Sequence, residues 1–241
     1  MLTYEYKFTP HINPGILEFQ LDKYHIDLLW SYIKKSTVND GWILDKDNNV
    51  VERGPYQQWA LYDTTKLFES EVLIPAVNSY ISRWGYPMSC KTTHYPIPCL
   101  NRFWTRISRA GEYQPIHNHQ SIWSFIIWMK IPFEYQDEQT EELAELYPES
   151  GNMTICYLDS VGRIQKEPYR LGKNYEGTMI LFPGEFNHIV YPYHTSDEYR
   201  ISIAGDVAID SMQHLEPLPT NTFNDFKYGN FYNAENNNEV N

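Results

Sequence analysis

Beyond Gly85 the chain breaks into short runs rich in β-branched and aromatic residues, at 99–108, 121–131, 152–158, 178–182 and 199–208, with Gly and Pro in the gaps. Runs of this length, punctuated in this way, read as strands. Many short strands must close on themselves or stack to protect their edges, so a closed or sandwiched β architecture is expected. Upstream, residues 21–35 place Leu21, Tyr24, Leu28, Leu29, Tyr32 and Ile33 at helical spacing, and Lys34 and Lys35 suit a helix C-terminus. Residues 36–62 are polar and turn-rich, with Gly41, Gly54 and Pro55. A second helix is expected over 67–84, with Pro75 kinking or dividing it. The two helices are expected outside the β layer.

At 241 residues and 42% hydrophobic content the chain can bury one substantial core. A single domain over 1–208 is expected, helical over 1–88 and β over 89–208. Residues 209–241 form a C-terminal extension whose Asn-rich end, "NAENNNEVN", reads as disordered. The formal net charge of −12 and the lack of any Lys/Arg block argue against duplex nucleic-acid binding. Cys90, Cys99 and Cys156 form no C-x-x-C pair, which favours a reducing compartment. No signal-peptide pattern opens the sequence and no run approaches a membrane span, so a cytoplasmic protein with no membrane partner is expected.

Chemistry concentrates in two segments. In "GEYQPIHNHQSIWS", His117 and His119 stand one residue apart, so on a strand both rings face one way. H-x-H alone fits either a metal clamp or two polar residues at a strand mouth. In "GTMILFPGEFNHIVYPYHTSDEYRISIAG", a Pro183–Gly184 turn joins what reads as a hairpin-like pair of strands, with His188 just past the turn. Arg200 and Ser202 then share one strand face, where a guanidinium and a hydroxyl can bind a carboxylate together. The bland alternative is an Arg200 paired with Asp197 or Glu198. His194 reads as an exposed loop residue, and His11, His25, His94 and His214 as structural. Trp104, Trp123 and Trp128 read as core or pocket wall. The acidic run "YQDEQTEELAELYPES" reads as a solvated segment placed to overhang a barrel mouth.

Together, "FWTRIS", Gly111, "HNH", "SIWS", "LFPGEFNHIVYP" and "RISIAG" resemble the 2OG-Fe(II) oxygenases of the type found in marine bacteria and their tailed phages, over roughly 100–208. The resemblance implies a double-stranded β-helix, or jelly roll, with flanking N-terminal α-helices. It implies iron(II) and 2-oxoglutarate as cofactors, with ascorbate as an optional accessory. It makes His117 and His188 metal ligands, with His119, at the position between them, read as the third, and Arg200 and Ser202 the anchor for the far carboxylate of 2-oxoglutarate. The implied activity is oxidation of a substrate coupled to decarboxylation of 2-oxoglutarate, with a peptidyl side chain or a small molecule favoured as substrate. The chain departs from the wider superfamily at His119, where Asp or Glu is usual, and at Arg106, where the family tends to have an amide. A second resemblance is to cupins: Gly111, His117 and His119 fit G-x5-H-x-H, and Gly177, Pro183 and His188 nearly fit the second cupin motif. That alternative is a three-histidine jelly-roll metalloprotein, or a binding protein without catalysis. Arg200 with Ser202 discriminates, because a 2-oxoglutarate enzyme needs them and a cupin does not.

Overall fold

The computed structural model describes residues 5–8, 15–37, 42–52, 57–85, 97–159 and 161–210. His11, His94, His214, Gly41, Gly54, Pro55, Cys90 and the Asn-rich end lie outside them.

The chain opens with strands β1 (Lys7–Phe8) and β2 (Leu17–Gln20), then helix α1 (Lys23–Thr37). A small hairpin of β3 (Ile43–Leu44) and β4 (Val50–Glu52) precedes β5 (Gln58–Ala60) and helix α2 (Ile74–Trp84). Then come β6 (Ile97–Ser108), β7 (Gln114–His117) and β8 (Trp123–Lys130). A short helix α3 (Glu141–Leu146) leads to β9 (Asn152–Leu158) and β10 (Ile164–Arg170). The described chain closes with β11 (Thr178–Pro183), β12 (Asn187–Val190) and β13 (Arg200–Asp210).

A seven-stranded sheet has the order β1-β2-β11-β8-β13-β6-β5, and a four-stranded sheet the order β10-β9-β12-β7. From β6 to β13 the chain passes from one sheet to the other at every connection except β9–β10, which is the winding of a double-stranded β-helix. All pairings are antiparallel. The expected hairpin around Pro183–Gly184 is therefore corrected: β11 and β12 lie in different sheets, and the turn carries the chain between them. Gly184 is needed there, since a Cβ would collide with the hydroxyl and carbonyl of Ser121.

The large sheet is covered on both faces, which explains its apolar runs. Along β8, Phe125, Ile127 and Met129 join the cluster that includes Leu29 and Ile33 of α1 and Val77 and Tyr80 of α2. Ile126 and Trp128, of opposite parity, join Ile155, Ile180 and Phe182 between the sheets. Every side chain from Trp123 to Met129 is consequently buried. Each large apolar side chain so placed contributes roughly 2–3 kcal/mol relative to exposure.

Helix α1 starts where Asp22 accepts from the His25 backbone N–H (2.8 Å). Its buried side includes His25, Leu29, Trp30, Tyr32 and Ile33, while Tyr24 is 54% exposed, against expectation. Tyr24 points away because the stripe is centred on its neighbour His25, which bonds Asp22 and Glu71. Pro75 divides the second helix as expected: a π-helical turn at Glu69–Leu73 precedes α2, where proline cannot donate to the preceding turn. Gly85, at φ 65°, ends α2 with its N–H on the Ile81 carbonyl (2.7 Å).

Most of the acidic run is solvated as expected, and α3 buries none of its residues, but one carboxylate departs from that reading. Glu138 is fully buried. It accepts from the backbone N–H of His194 (2.9 Å) and Thr195 (2.8 Å), from Ser150 Oγ (2.6 Å), and from Thr195 Oγ1. His194 is accordingly half-buried, stacked on Tyr147 with ring centroids 4.4 Å apart, rather than exposed. Truncating Glu138 to Ala strands several buried donors, each costing about 1–3 kcal/mol. We expect Glu138→Ala to lower the melting temperature by roughly 10 °C, on the scale of about 2–4 °C per kcal/mol for a chain this size. An unchanged melting curve would mean that the carboxylate holds nothing.

Candidate metal and 2-oxo acid site

Between the sheets lies a cavity of about 610 Å³. Alternation places Arg102, Trp104, Arg106 and Ser108 of β6 on its wall, beside Arg200, Ser202 and Ala204 of the neighbouring β13. Apolar wall comes from Ile126, Trp128, Met153 and Phe182. Among the lining residues are three arginines and three histidines but no Asp or Glu. In a chain of net charge −12 this is a local reversal, and it suits an anionic ligand.

The structure brings His117, His119 and His188 together. One ligand atom from each lies within 4.8 Å of the others. His117 ends β7 and faces His188 of β12 directly across the sheet, with ring centroids 4.1 Å apart. His119 lies just past the strand, where its backbone N–H donates to the Gly184 carbonyl (2.8 Å). The Pro183–Gly184 turn therefore positions both His188 and His119. The i, i+2 spacing does bring the two rings together, but through a turn rather than a continuous strand.

Each of the three rings is fixed through Nδ1. His117 Nδ1 donates to the Pro115 carbonyl (2.7 Å), His188 Nδ1 to the Phe186 carbonyl (3.1 Å) and His119 Nδ1 to Asp206 Oδ1 (2.6 Å). Carbonyl and carboxylate oxygens only accept, so Nδ1 carries a proton, and in the neutral ring Nε2 keeps its lone pair. Three imidazoles offering Nε2 in this way suit a divalent transition metal. Burial, the neighbouring His117 and, less, His119 push His188 down to about 3, against the hydrogen bond to Phe186 and the charge of Asp206. Burial also lowers His117, helped by the charges of His119 and Arg106. His117 and His188 thus need no proton removed at neutral pH.

Burial of a neutral His188 has a stability consequence. Its folded value lies below the unfolded value of about 6.5, so below that pH the unfolded chain takes up the proton first. Metal-free protein should lose stability steadily as pH falls from about 6.5 towards 3, by a few kcal/mol in total. Thermal melts in chelator across that range test this; a flat profile would contradict the burial of a neutral ring.

Arg200 is 4% exposed. Its Nη1 donates to the Tyr191 carbonyl (3.2 Å), and its guanidinium lies 5.4 Å from the Tyr193 ring centre. Burial lowers it to about 10, so it stays cationic at neutral pH. The ion pair with Asp197 or Glu198 is absent among the described residues, and Glu198 is bound by Lys130 (2.6 Å). Arg106, lowered by burial, donates to Ser108 Oγ (3.2 Å) and the Gln57 side-chain carbonyl (3.1 Å). Trp123 is core, Trp128 is both core and wall, and Trp104 stacks on His119 with centroids 5.5 Å apart. Asp206, which binds His119, was missed from sequence, although R-I-S-I-A-G-D carries the parity of Arg200 and Ser202 on to it.

Fold and site define a jelly-roll metalloprotein with a cationic cavity beside three imidazoles. Residues 102–206 match the family described as "Putative 2OG-Fe(II) oxygenase". That match, with the three clustered histidines, favours the iron(II)- and 2-oxoglutarate-dependent oxygenase reading over the cupin-like alternative. No curated protein matches the chain. Among solved structures, a Pseudomonas putida prolyl-4-hydroxylase is 12% identical over 84% of this chain and 91% of its own, at a TM-score of 0.41. The viral collagen prolyl hydroxylase of Paramecium Bursaria Chlorella virus-1 is 12% identical over 80% of this chain and 94% of its own, at 0.44. The alpha-ketoglutarate-dependent epimerase SnoN from nogalamycin biosynthesis is 12% identical over 86% and 89%, at 0.47. At these values the family match and the site geometry carry the assignment.

Proposed function

We propose that Nε2 of His117, His119 and His188 holds the iron(II), and that Arg200 with Ser202 holds the far carboxylate of 2-oxoglutarate. The observation that carries this reading is the set of three Nδ1-anchored imidazoles in the same cavity as a buried arginine that pairs with no carboxylate among the described residues. The bound metal with its 2-oxo acid supplies activation of dioxygen, coupled to loss of CO2 and formation of succinate. The chain's own residues bind, orient and enclose. Hydrogen bonds to Pro115, Phe186 and Asp206 hold each imidazole in its metal-binding tautomer. Arg200, cationic and poorly hydrated in its pocket, fixes one end of a dicarboxylate and so sets where the other end reaches. Ile126, Trp128 and Phe182 keep water from the reacting region.

The substrate is a peptidyl side chain or a small molecule, entering past Trp104 and the half-exposed Tyr113. The two described cysteines, Cys99 and Cys156, are free, which supports a reducing, cytoplasmic setting. No helix among the described residues is long and apolar enough to cross a membrane. The decisive experiment is anaerobic addition of iron(II) and then 2-oxoglutarate. A visible charge-transfer band that requires both is the expected result, and its absence with correctly folded protein would reject the reading.

A further inference from the structure

The negative charge that the usual ligand set contains, and that His119 removes, is present one hydrogen bond further out. Asp206 is fully buried on β13. Its Oδ1 accepts from His119 Nδ1 (2.6 Å), Ser124 Oγ (2.9 Å) and Ser121 Oγ (3.4 Å). The Arg102 Nε lies 2.6 Å from Oδ2 without hydrogen-bond geometry, and Oδ2 has no hydrogen-bond partner among the described residues. Arg102 is itself 58% exposed, so water screens its charge. A dication on the far side of the His119 ring would add to the compensation of this buried carboxylate, and the carboxylate would in turn make that imidazole a more basic ligand.

We propose that Asp206 is the charge-balancing, positioning residue of the metal site, acting through His119 in place of the carboxylate that more commonly binds iron directly. The proposal rests on the three-imidazole reading. Two features favour it over a purely structural role for Asp206. The bond to His119 is the shortest that Oδ1 makes, and it fixes the one ring held by a carboxylate, whereas His117 and His188 are held by backbone carbonyls. Trp104 stacks on the His119 ring at an interplanar angle of 20°, so the ring is held in its plane while Asp206 sets its tautomer.

The test uses the full chain and metal alone. Anaerobic iron(II) affinity is measured against a competing chelator, and the cobalt(II) electronic spectrum reports the ligand field. Asp206→Asn keeps the shape and one acceptor but removes the charge. It should weaken iron(II) roughly 10–100-fold, the range for losing such an outer partner, and shift the cobalt(II) bands. His119→Asp alone puts a second carboxylate beside Asp206 and removes the donor that Asp206 needs, so it should bind iron(II) worse than wild type. The double variant His119→Asp/Asp206→Asn moves the charge inward and should recover affinity to within about 3-fold of wild type, well above the product of the two single losses. Asp206→Asn with wild-type affinity and spectrum overturns the proposal. So does a double variant no better than the weaker single one. A structural role alone would lower the metal-free melting temperature and leave the cobalt(II) band positions unmoved, which also counts against it. Failure of the underlying reading shows separately: His117→Ala and His188→Ala would then keep wild-type affinity whatever Asp206 does.

Discussion

His188→Ala should purify folded and almost free of iron, with iron(II) affinity down by more than about 100-fold. The bound is set by outer-sphere partners, whose loss already costs about 10–100-fold; a direct ligand must cost more. The position explains why the effect stays local. His188 is 2% exposed, and its backbone pairs with His117 on one side and Ile155 on the other. Those ladder bonds survive the substitution, because they belong to the main chain. The side chain takes no part in the apolar cluster between the sheets, and the nearest aromatic neighbour outside the triad, Phe182, has its ring centre 5.5 Å away. Removing a desolvated imidazole also removes the cost of burying it, which offsets part of the lost packing. Circular dichroism should therefore match wild type while bound iron falls. Iron content equal to that of wild type would show that the metal is held elsewhere.

The parts of the fold that were legible are those where burial and strand period agree. β8 and β11 lie inside a sheet covered on both faces, so they read as unbroken apolar runs. β10 was missed for the opposite reason. Its "IQKEPYR" is polar and contains Pro168, and it sits at the edge of the small sheet, where a missing N–H and exposed side chains are tolerated. β7 and β12 have only four residues each and carry ligand candidates instead of core, so neither shows a period. The β11–β12 connection read as a hairpin because adjacency in sequence predicts pairing. In a double-stranded β-helix, adjacency predicts a change of sheet, and that is a property of the whole winding. Glu138 was invisible because an acidic run looks solvated until the loop it binds, 192–195, is known to lie against it. His117 with His119, and Arg200 with Ser202, were legible as candidates because short spacings bring them together, whereas His188 was read from the Pro183–Gly184 turn before it and Arg200 after it. Asp206 needed the same parity argument carried four residues beyond Ser202, past a glycine that looked like the end of the pattern.

Arg200→Ala should separate the two cofactors: 2-oxoglutarate affinity falls by about 30-fold or more while iron(II) affinity stays within about 3-fold. Losing one partner of a buried, hydrogen-bonded charge pair costs roughly 2–5 kcal/mol, and each 1.4 kcal/mol is about tenfold in affinity. The ground for expecting the upper part of that range is how little the guanidinium does in the protein alone. It makes one hydrogen bond, to the Tyr191 carbonyl, and rests over Tyr193. Tyr193 is itself fixed, donating to the Ser108 carbonyl (3.0 Å) and stacked by Phe133 (4.8 Å), so the arginine is held ready at little entropic cost. Burial already strains its charge; Glu112 and Glu138 relieve it only through their charges, and no carboxylate among the described residues pairs with it directly. An incoming dicarboxylate can. Arg200→Lys should fall between wild type and Arg200→Ala, since an ammonium keeps the charge but cannot present two parallel N–H groups. Anaerobic titration of iron-loaded protein, read by the band that 2-oxoglutarate induces, measures all three. Equal affinity in wild type and Arg200→Ala would move the anchor elsewhere on the cationic wall, with Arg106 the next residue to replace, because its half-buried guanidinium faces the same cavity and pairs with no carboxylate among the described residues.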